Sequence, residues 1–341
     1  MTFRDNLMKI VQRTDLDENQ MGEMITEIFT GSVTDAQIGA MMAALATKGE
    51  TFEELAGAAR AMRRKAVRVQ TSADTVVDTC GTGGDGAKTF NISTTAAFVV
   101  SGCGVTVAKH GNRSISSQCG SADVLEALGV KIDIDPEVVE EAIREIGIGF
   151  LFAPLYHGAM RWAANARKEV GIRSIFNMLG PLTNPAAANC QLIGVYAPAL
   201  TEMFARALAL LGTKRAFVVH GHDGLDEISV CAPTRVSELK DGLVKTYDLN
   251  PEQYFERTAD PKDLIGGDKD ANAQITLNIL KGEKGPRRDV ILINAGMALV
   301  ASGKAENPQQ GIALAANAID TGAALDKLNA LIQYTRENSK K

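Results

Sequence analysis

At Asp74 the hydrophobic pattern changes period, and that change constrains the fold of this 341-residue chain more than any other feature. Before it, the apolar residues recur with helical spacing. Thr34-Asp-Ala-Gln37 and Thr51-Phe-Glu-Glu54 are capping boxes, in which the threonine oxygen accepts the third helical N–H and the Gln or Glu reaches back. The first opens a face of Ile38, Met41, Met42 and Leu45, the second a face of Leu55, Ala58, Ala59 and Met62. An earlier helix starts at Leu16 or Asp17, carries Met21, Met24, Ile25 and Ile28, and stops at Gly31. Methionine-rich faces of this kind pack adaptably, in a core or at a subunit interface.

Beyond Asp74 strands and helices alternate. Strands are expected at 75–79, 105–108, 192–196, 216–219 and 243–249, and helices at 92–101, 122–128, 137–146, 160–170 and 201–211. Residues 257–272, charged and bearing Gly and Pro, read as a surface loop. From 273 the chain is helical again, with 290–301 apolar enough to be a buried helix. No internal repeat is present. The expectation is an α/β protein: a small all-helical domain, residues 1–70, joined near 68–74 to a large α/β domain, residues 74–341, whose central sheet is mostly parallel.

Composition excludes several function classes. Thirty-six Lys+Arg against 41 Asp+Glu leave a net charge of −5, and aromatics are 5% of residues. Neither suits a nucleic-acid partner, which needs basic bulk charge and stacking surfaces. The uncharged run 89–108 holds Asn91, Ser93, Thr94, Thr95, Ser101, Gly102 and Gly104, too polar for a membrane span. Asp5 and Lys9 interrupt what would be the apolar region of a signal peptide. Cys80, Cys103, Cys119, Cys190 and Cys231 are widely spaced with no CxxC pair, which fits reduced thiols in a cytoplasmic protein and argues against structural zinc.

The segment Cys80-Gly-Thr-Gly-Gly-Asp-Gly-Ala-Lys-Thr89 sits between an expected strand and an expected helix. Gly81, Gly83 and Gly86 have the dinucleotide spacing, but Asp85 puts a carboxylate inside the loop, and no acid follows from Gly86 to Ala122 to hold a ribose. The P-loop spacing fails as well, because Ala87 pushes Lys88-Thr89 one position too far. A tight turn explains any one glycine, though not four within six positions beside Asp85 and Lys88.

The acid-free window is itself informative. Residues 86–122 hold Lys88, Lys109, His110 and Arg113, with Asn91, Ser93, Thr94, Asn112, Ser114, Ser116 and Ser117. Asn91 stands where it would cap the next helix, whose N-terminal dipole would point at the glycine loop. A second polar loop, Lys109-His-Gly-Asn-Arg-Ser-Ile-Ser-Ser117, follows a neighbouring strand, at the strand ends where open α/β sheets bind ligands. Together they describe a site for a multiply phosphorylated ligand. Asp226-Glu227, after a strand and a Gly-rich turn, would be ordinary solvated charge alone and Mg²⁺ ligands beside such a site.

These residues carry a resemblance. Asp78-Thr-Cys-Gly-Thr-Gly-Gly-Asp85, Asn91-Ile-Ser-Thr94, Lys109-His-Gly-Asn-Arg113 and Gly120-Ser-Ala-Asp-Val-Leu-Glu-Ala-Leu-Gly129 resemble the anthranilate phosphoribosyltransferases of tryptophan biosynthesis. So do Gly171-Ile-Arg-Ser-Ile-Phe-Asn-Met-Leu-Gly-Pro-Leu-Thr-Asn-Pro185 and Gly224-Leu-Asp-Glu-Ile-Ser229, and the likeness spans essentially the whole chain in order. It implies a nucleoside phosphorylase/phosphoribosyltransferase-like fold, a helical domain completed by a later segment near 170–190, and a homodimer through that domain.

Residue by residue, the resemblance implies that Gly81, Gly84, Asp85, Thr89, Asn91, Ile92, Ser93 and Thr94 contact phosphoribosyl pyrophosphate. Lys109, His110, Gly111, Asn112, Arg113, Ser114, Ile115, Ser116, Ser117 and Ser121 would complete that site. Gly81, Asn112 and Arg167 would bind anthranilate, and Ser93, Asp226 and Glu227 would hold Mg²⁺. Tyr156-His157-Gly158 departs from the family's usual His-Pro. The implied reaction displaces pyrophosphate from ribosyl C1 with an arylamine nitrogen, unprotonated at neutral pH, so no dedicated general base is assigned. His110 is the nearby candidate, as suited to orienting a substrate as to taking a proton. A pyrimidine nucleoside phosphorylase shares the architecture and a Lys-His pair; Asp226-Glu227 and Asn91-Ile-Ser-Thr94 argue against it. A nucleic-acid-binding relative without transferase activity is opposed by the −5 charge and the intact glycine loop.

Overall fold

The structure is a computed structural model and describes residues 2–114 and 118–339. Four helices come first: α1 (Phe3–Val11), α2 (Glu18–Ile28), α3 (Asp35–Lys48) and α4 (Phe52–Lys65). Each opens on a capping box, at Thr2, Asp17, Thr34 and Thr51, so every N-terminus has a side-chain acceptor for its orphan donors. Met21, Met24, Met41 and Met42 are buried in the core of this chain's own bundle. They therefore present no face to a second subunit.

The α/β part runs β1 (Val76–Asp78), α5 (Ile92–Gly102), β2 (Thr106–Gly111), α6 (Ser121–Leu128), α7 (Pro136–Ile146), β3 (Ile148–Phe152), α8 (Ala153–Tyr156), α9 (Arg161–Val170), β4 (Cys190–Gly194), α10 (Leu200–Leu210), β5 (Arg215–Gly221), β6 (Thr234–Lys240) and β7 (Leu243–Leu249). Four more helices close the chain: α11 (Lys269–Leu280), α12 (Pro286–Ala301), α13 (Pro308–Asp320) and α14 (Ala323–Glu337). One seven-stranded sheet has the order β3-β2-β1-β4-β5-β6-β7, parallel through β5 and antiparallel at β6 and β7. No helix among the described residues is long and apolar enough to cross a membrane.

Period-2 alternation along the central strands feeds two cores. Ile193, Val195, Ala216 and Val218 face α10 and the helical bundle. Leu192, Phe217 and Val219 face α5 and the C-terminal helices, where α12 is buried almost all round. Ala163 and Ala166 of α9, with Ile175 and Phe176 beyond it, pack into the bundle-side core.

Three local expectations are corrected. β3 and β6 were not expected as strands. β3 is a short apolar run, and β6 alternates around only Val236 and Leu239, its place set by the ladder to β5. The expected loop 257–272 is helical from Lys269, because Asp268 accepts a hydrogen bond from Ala271 N and caps α11.

Candidate active site

The sheet order reverses between β1 and β4, which pair as Val77↔Cys190 and Asp78↔Gln191. Their carboxyl ends therefore open the crevice where doubly wound sheets bind ligands. Residues 79–91 leave β1 there. The loop needs left-handed backbone at Gly83 (φ 64°), Gly84 (φ 83°) and Gly86 (φ 76°), and it also holds Lys88 at φ 55°. Successive N–H groups in such turns form an anion-binding concavity. Thr82 N donates to Gly194 O at 2.8 Å and Tyr196 N to Thr82 Oγ1 at 3.2 Å, so the end of β4 anchors the loop's base. Thr89 bridges to Ile265, and Gly266 N donates to Lys88 O at 3.0 Å.

Asp226 and Glu227 arrive from the far side of β4. A Cβ at Gly194 would lie 1.4 Å from Asp226 O, so glycine is required for the acidic turn to come this close. Asp226 N donates to Asp85 Oδ2 at 3.3 Å, and Glu227 Oε1 accepts from Ser93 N at 3.1 Å. Burial first, and the neighbouring Asp85 and Glu227 second, raise the Asp226 carboxyl well above the usual range. Glu227 is pushed up to about 7 by burial, with Lys109 pulling it back. Three carboxylates and the Ser93 hydroxyl in one crevice, against the single nearby cation Lys109 among the described residues, are a hard oxygen set with an excess of negative charge, which fits Mg²⁺. Asp78, Cys80 and His110 also bring three donor atoms within 4.8 Å of one another. That set is soft and buried, its thiol pushed up by burial and by Asp78, and it does not suit Mg²⁺.

The N-terminus of α5 differs from expectation. Asn91 is the residue before the helix but makes no capping bond. Its Nδ2 donates to Cys119 O at 3.2 Å and its Oδ1 accepts from Asn272 Nδ2 at 3.1 Å. Glu227 takes the Ser93 N–H instead. The basic pocket is also less free than the acid-free window suggests. Arg113 pairs with Asp123 at 3.0 Å and with Glu126 through both terminal nitrogens, and lies 5.6 Å over the Phe152 ring. Those acids stand on α6, just beyond the window.

Lys109 is buried, its Nζ 3.3 Å from Thr79 O and 3.4 Å from Thr79 Oγ1. His110 N donates to Asp78 Oδ1 at 3.2 Å, and Asn184 Nδ2 donates to Asp78 Oδ2 at 2.7 Å. Burial lifts Asp78 to about 6 against the pull of Lys109. These bonds, with the β1–β2 pairing, set the direction in which the second polar loop leaves β2. Ser121 Oγ accepts from Asn112 N at 3.2 Å and lies 3.2 Å from Asn112 O, folding that loop onto α6. Gly111 ends β2, and Ser114 N donates to Asp123 Oδ2 at 3.1 Å. Ile92 and Thr94 are buried in the first turn of α5. The positions Ile115, Ser116 and Ser117 lie outside the described residues.

His110 is not alone. Its Nδ1 is 3.0 Å from Gly180 O, an acceptor, so Nδ1 carries the proton in the neutral ring. Its Nε2 is 3.2 Å from His157 Nε2, which must then be the donor, leaving buried His157 Nδ1 an acceptor with no partner among the described residues. Burial, and for His110 the neighbouring ring of His157, lower the two to about 3 and about 4. Both rings are neutral at pH 7, and the His110 Nε2 lone pair is taken up by His157, which together with so low a pKa makes His110 a weak proton acceptor. Gly158 has open space where a Cβ would stand.

Arg167 lies on α9, its guanidinium 5.8 Å over the Phe176 ring. The hydrogen bond that reaches the glycine loop from this part of the chain comes from Arg173, which donates to Gly84 O. Neither Arg173 nor His157 was picked out as a site residue by sequence reasoning. Arg173 stands inside the segment 171–185 that carries the resemblance, and His157 beside its departure, but only tertiary contact gives either a role.

Comparison with known families places residues 4–66 in the glycosyl transferase family helical bundle domain and residues 73–325 in that family's a/b domain. An anthranilate phosphoribosyltransferase from Desulfosudis oleivorans is 68% identical over 337 residues, covering 98% of this chain and 99% of that one. A crystal structure of the enzyme of that name from Thermus thermophilus is 40% identical, with a TM-score of 0.92 over 97% of this chain and 99% of that chain. The Saccharomyces cerevisiae enzyme in complex with PRPP and Mg is 28% identical, with a TM-score of 0.89 over 98% of each chain. The same yeast enzyme is also solved in complex with 4-fluoroanthranilate, at a TM-score of 0.87, 28% identity and 98% of each chain.

Proposed function

The chain belongs to the anthranilate phosphoribosyltransferases, and from that premise we infer how its own residues divide the work. It transfers the 5-phosphoribosyl group of phosphoribosyl pyrophosphate to the amino group of anthranilate, a step of tryptophan biosynthesis. The C1–O bond breaks with its electron pair leaving on pyrophosphate. The amine lone pair forms the C1–N bond, the nitrogen loses a proton, and N-(5-phosphoribosyl)anthranilate results.

The observation that carries the assignment is the meeting of the glycine loop, the first turn of α5 and the carboxylates of Asp85, Asp226 and Glu227 at the β1/β4 reversal. In this reading Gly81, Gly84, Asp85, Thr89 and residues 91–94 hold the phosphoribosyl pyrophosphate, with Lys109 through Ser117 and Ser121 closing the site. Ser93, Asp226 and Glu227 are the Mg²⁺ ligands. Bound there, the dication neutralises charge on the pyrophosphate. Loop N–H groups and the α5 dipole act on the same departing charge, and preorganised donors of this kind supply the main part of such catalysis. Gly81, Asn112 and Arg167 take anthranilate, Arg167 holding its carboxylate in a bidentate fork. Neutral His110 positions the acceptor side of the crevice. A homodimer through the helical domain completes the reading; half-exposed Met8 and Val11 on α1 offer apolar surface for it.

A double variant, Asp226→Ala with Glu227→Gln, tests the metal assignment. The Mg²⁺ concentration for half-maximal rate is expected to rise, with recognition of anthranilate nearly intact. Metal-free phosphoribosyl pyrophosphate is expected to bind as well or better, because the pocket becomes more positive. An unchanged metal dependence would return the pair to ordinary charge.

A further inference from the structure

Arg173 is exposed, yet one face and one edge of its guanidinium are engaged with the crevice rim. It donates to Gly84 O, and its Cζ lies 4.4 Å over the Tyr196 ring. Gly84 itself sits at φ 83°, where a side chain would be strained, and a Cβ there would press on the Arg173 Nη2 at 3.3 Å. Tyr196 is itself fixed to the loop through its N–H to Thr82 Oγ1. Behind Arg173 the chain is firmly anchored: Ser174 N donates to Asn177 Oδ1 at 3.1 Å, and Ile175 and Phe176 are buried in the bundle-side core. Phe176 is also the ring beneath Arg167.

We propose that Arg173 is a positioning residue of the transfer: stacked on Tyr196 and bonded to Gly84 O, it holds the tip of the glycine loop in its left-handed conformation and ties the loop to the segment under Arg167. The inference rests on the assignment of this loop to phosphoribosyl pyrophosphate. Its physical ground is the division of tethers. The loop's base is held by Gly194 and Tyr196 backbone and its far end by the 264–267 segment. At the tip, Asp226 N donates to Asp85 Oδ2 at 3.3 Å, Gly83 and Gly86 have open space where a Cβ would stand, and the Gly84 carbonyl is held by Arg173. Without it, the Gly84 peptide is less restrained and loses more conformational freedom when the ligand binds. The guanidinium also adds positive charge beside a loop that carries Asp85.

The test uses the full-length enzyme and phosphoribosyl pyrophosphate as probe, by calorimetry and steady-state kinetics. R173Q is expected to weaken binding and raise KM for phosphoribosyl pyrophosphate about tenfold, the scale of one lost charge-assisted hydrogen bond. Its kcat and Tm should move little, because an exposed side chain leaves no cavity. R173K should recover part of the loss, keeping the charge but not the flat stack. Y196L should weaken the same substrate, Y196F should not, and R173Q with Y196L should be no worse than R173Q alone. Unchanged affinity in R173Q overturns the proposal, as does a parallel fall in Tm and kcat with KM unmoved. Gly83→Pro separates the two failures, since proline cannot adopt the positive φ. If it weakens phosphoribosyl pyrophosphate and R173Q does not, Arg173 has no positioning role; if neither does, the loop assignment falls with it.

Discussion

Replacing Glu227 by Gln should make the metal-free protein more stable in alkaline solution, against the usual effect of changing a buried group. Glu227 is raised from an ordinary 4.5 to about 7 by burial, with Asp85 adding to the shift. Between these values the folded chain holds a proton that the unfolded chain has lost, so stability falls as pH rises from 4.5 through 7. At pH 8 the penalty is about 3 kcal/mol; at pH 5 it is under about 1 kcal/mol. Glutamine is isosteric and its Oε1 still accepts the Ser93 N–H, so the variant escapes the penalty without losing that bond. With an unfolding entropy of about 2 cal/mol/K per residue, the gain is roughly 4 °C in Tm at pH 8. Thermal melts of protein stripped of divalent cations, at pH 8 and pH 5, read this directly. Added Mg²⁺ should then raise the Tm of the parent more than that of the variant. A variant that melts below the parent at pH 8 without metal would refute the argument that the three carboxylates repel one another in this crevice.

Arg167→Ala should cost about 2–4 kcal/mol in kcat/KM for anthranilate and leave the KM for phosphoribosyl pyrophosphate nearly unchanged; equal losses for both substrates would count against the assignment. His157 is lowered from 6.5 to about 4, so the unfolded chain takes up a proton below 6.5 that the folded chain refuses, and stability is lost as pH falls through that window. His157→Gln should therefore gain about 2 kcal/mol relative to the parent between pH 7.5 and pH 5, measured by denaturant unfolding at both. Light scattering at assay concentration should give the mass of a dimer, and a monomer would remove the proposed homodimer.

Much of the architecture is local and hence legible in the sequence. Thr34-x-x-Gln37 and Thr51-x-x-Glu54 mark helix starts because a capping box is complete within four residues. The four glycines after β1 mark a loop with left-handed turns for the same reason. What escapes is what depends on distant partners. β6 carries too few apolar residues to be seen as a strand, and the ladder to β5 defines it. Asn91 has the right residue type for a cap, but Cys119 and Asn272, far along the chain, compete for its side chain. Arg113 looks unpaired until α6 folds back with Asp123 and Glu126. The histidine pair forms across 47 residues, and the Arg173 contact with Gly84 across 89. Neither separation has any periodic signature.

The most direct test of the account is the stoichiometry of pyrophosphate release by the purified enzyme from phosphoribosyl pyrophosphate, with anthranilate and Mg²⁺ omitted in turn. One pyrophosphate is expected for each anthranilate consumed, with a product of the mass of phosphoribosyl anthranilate and no sustained release when anthranilate is left out. Pyrophosphate release that proceeds at the same rate without anthranilate would contradict that expectation.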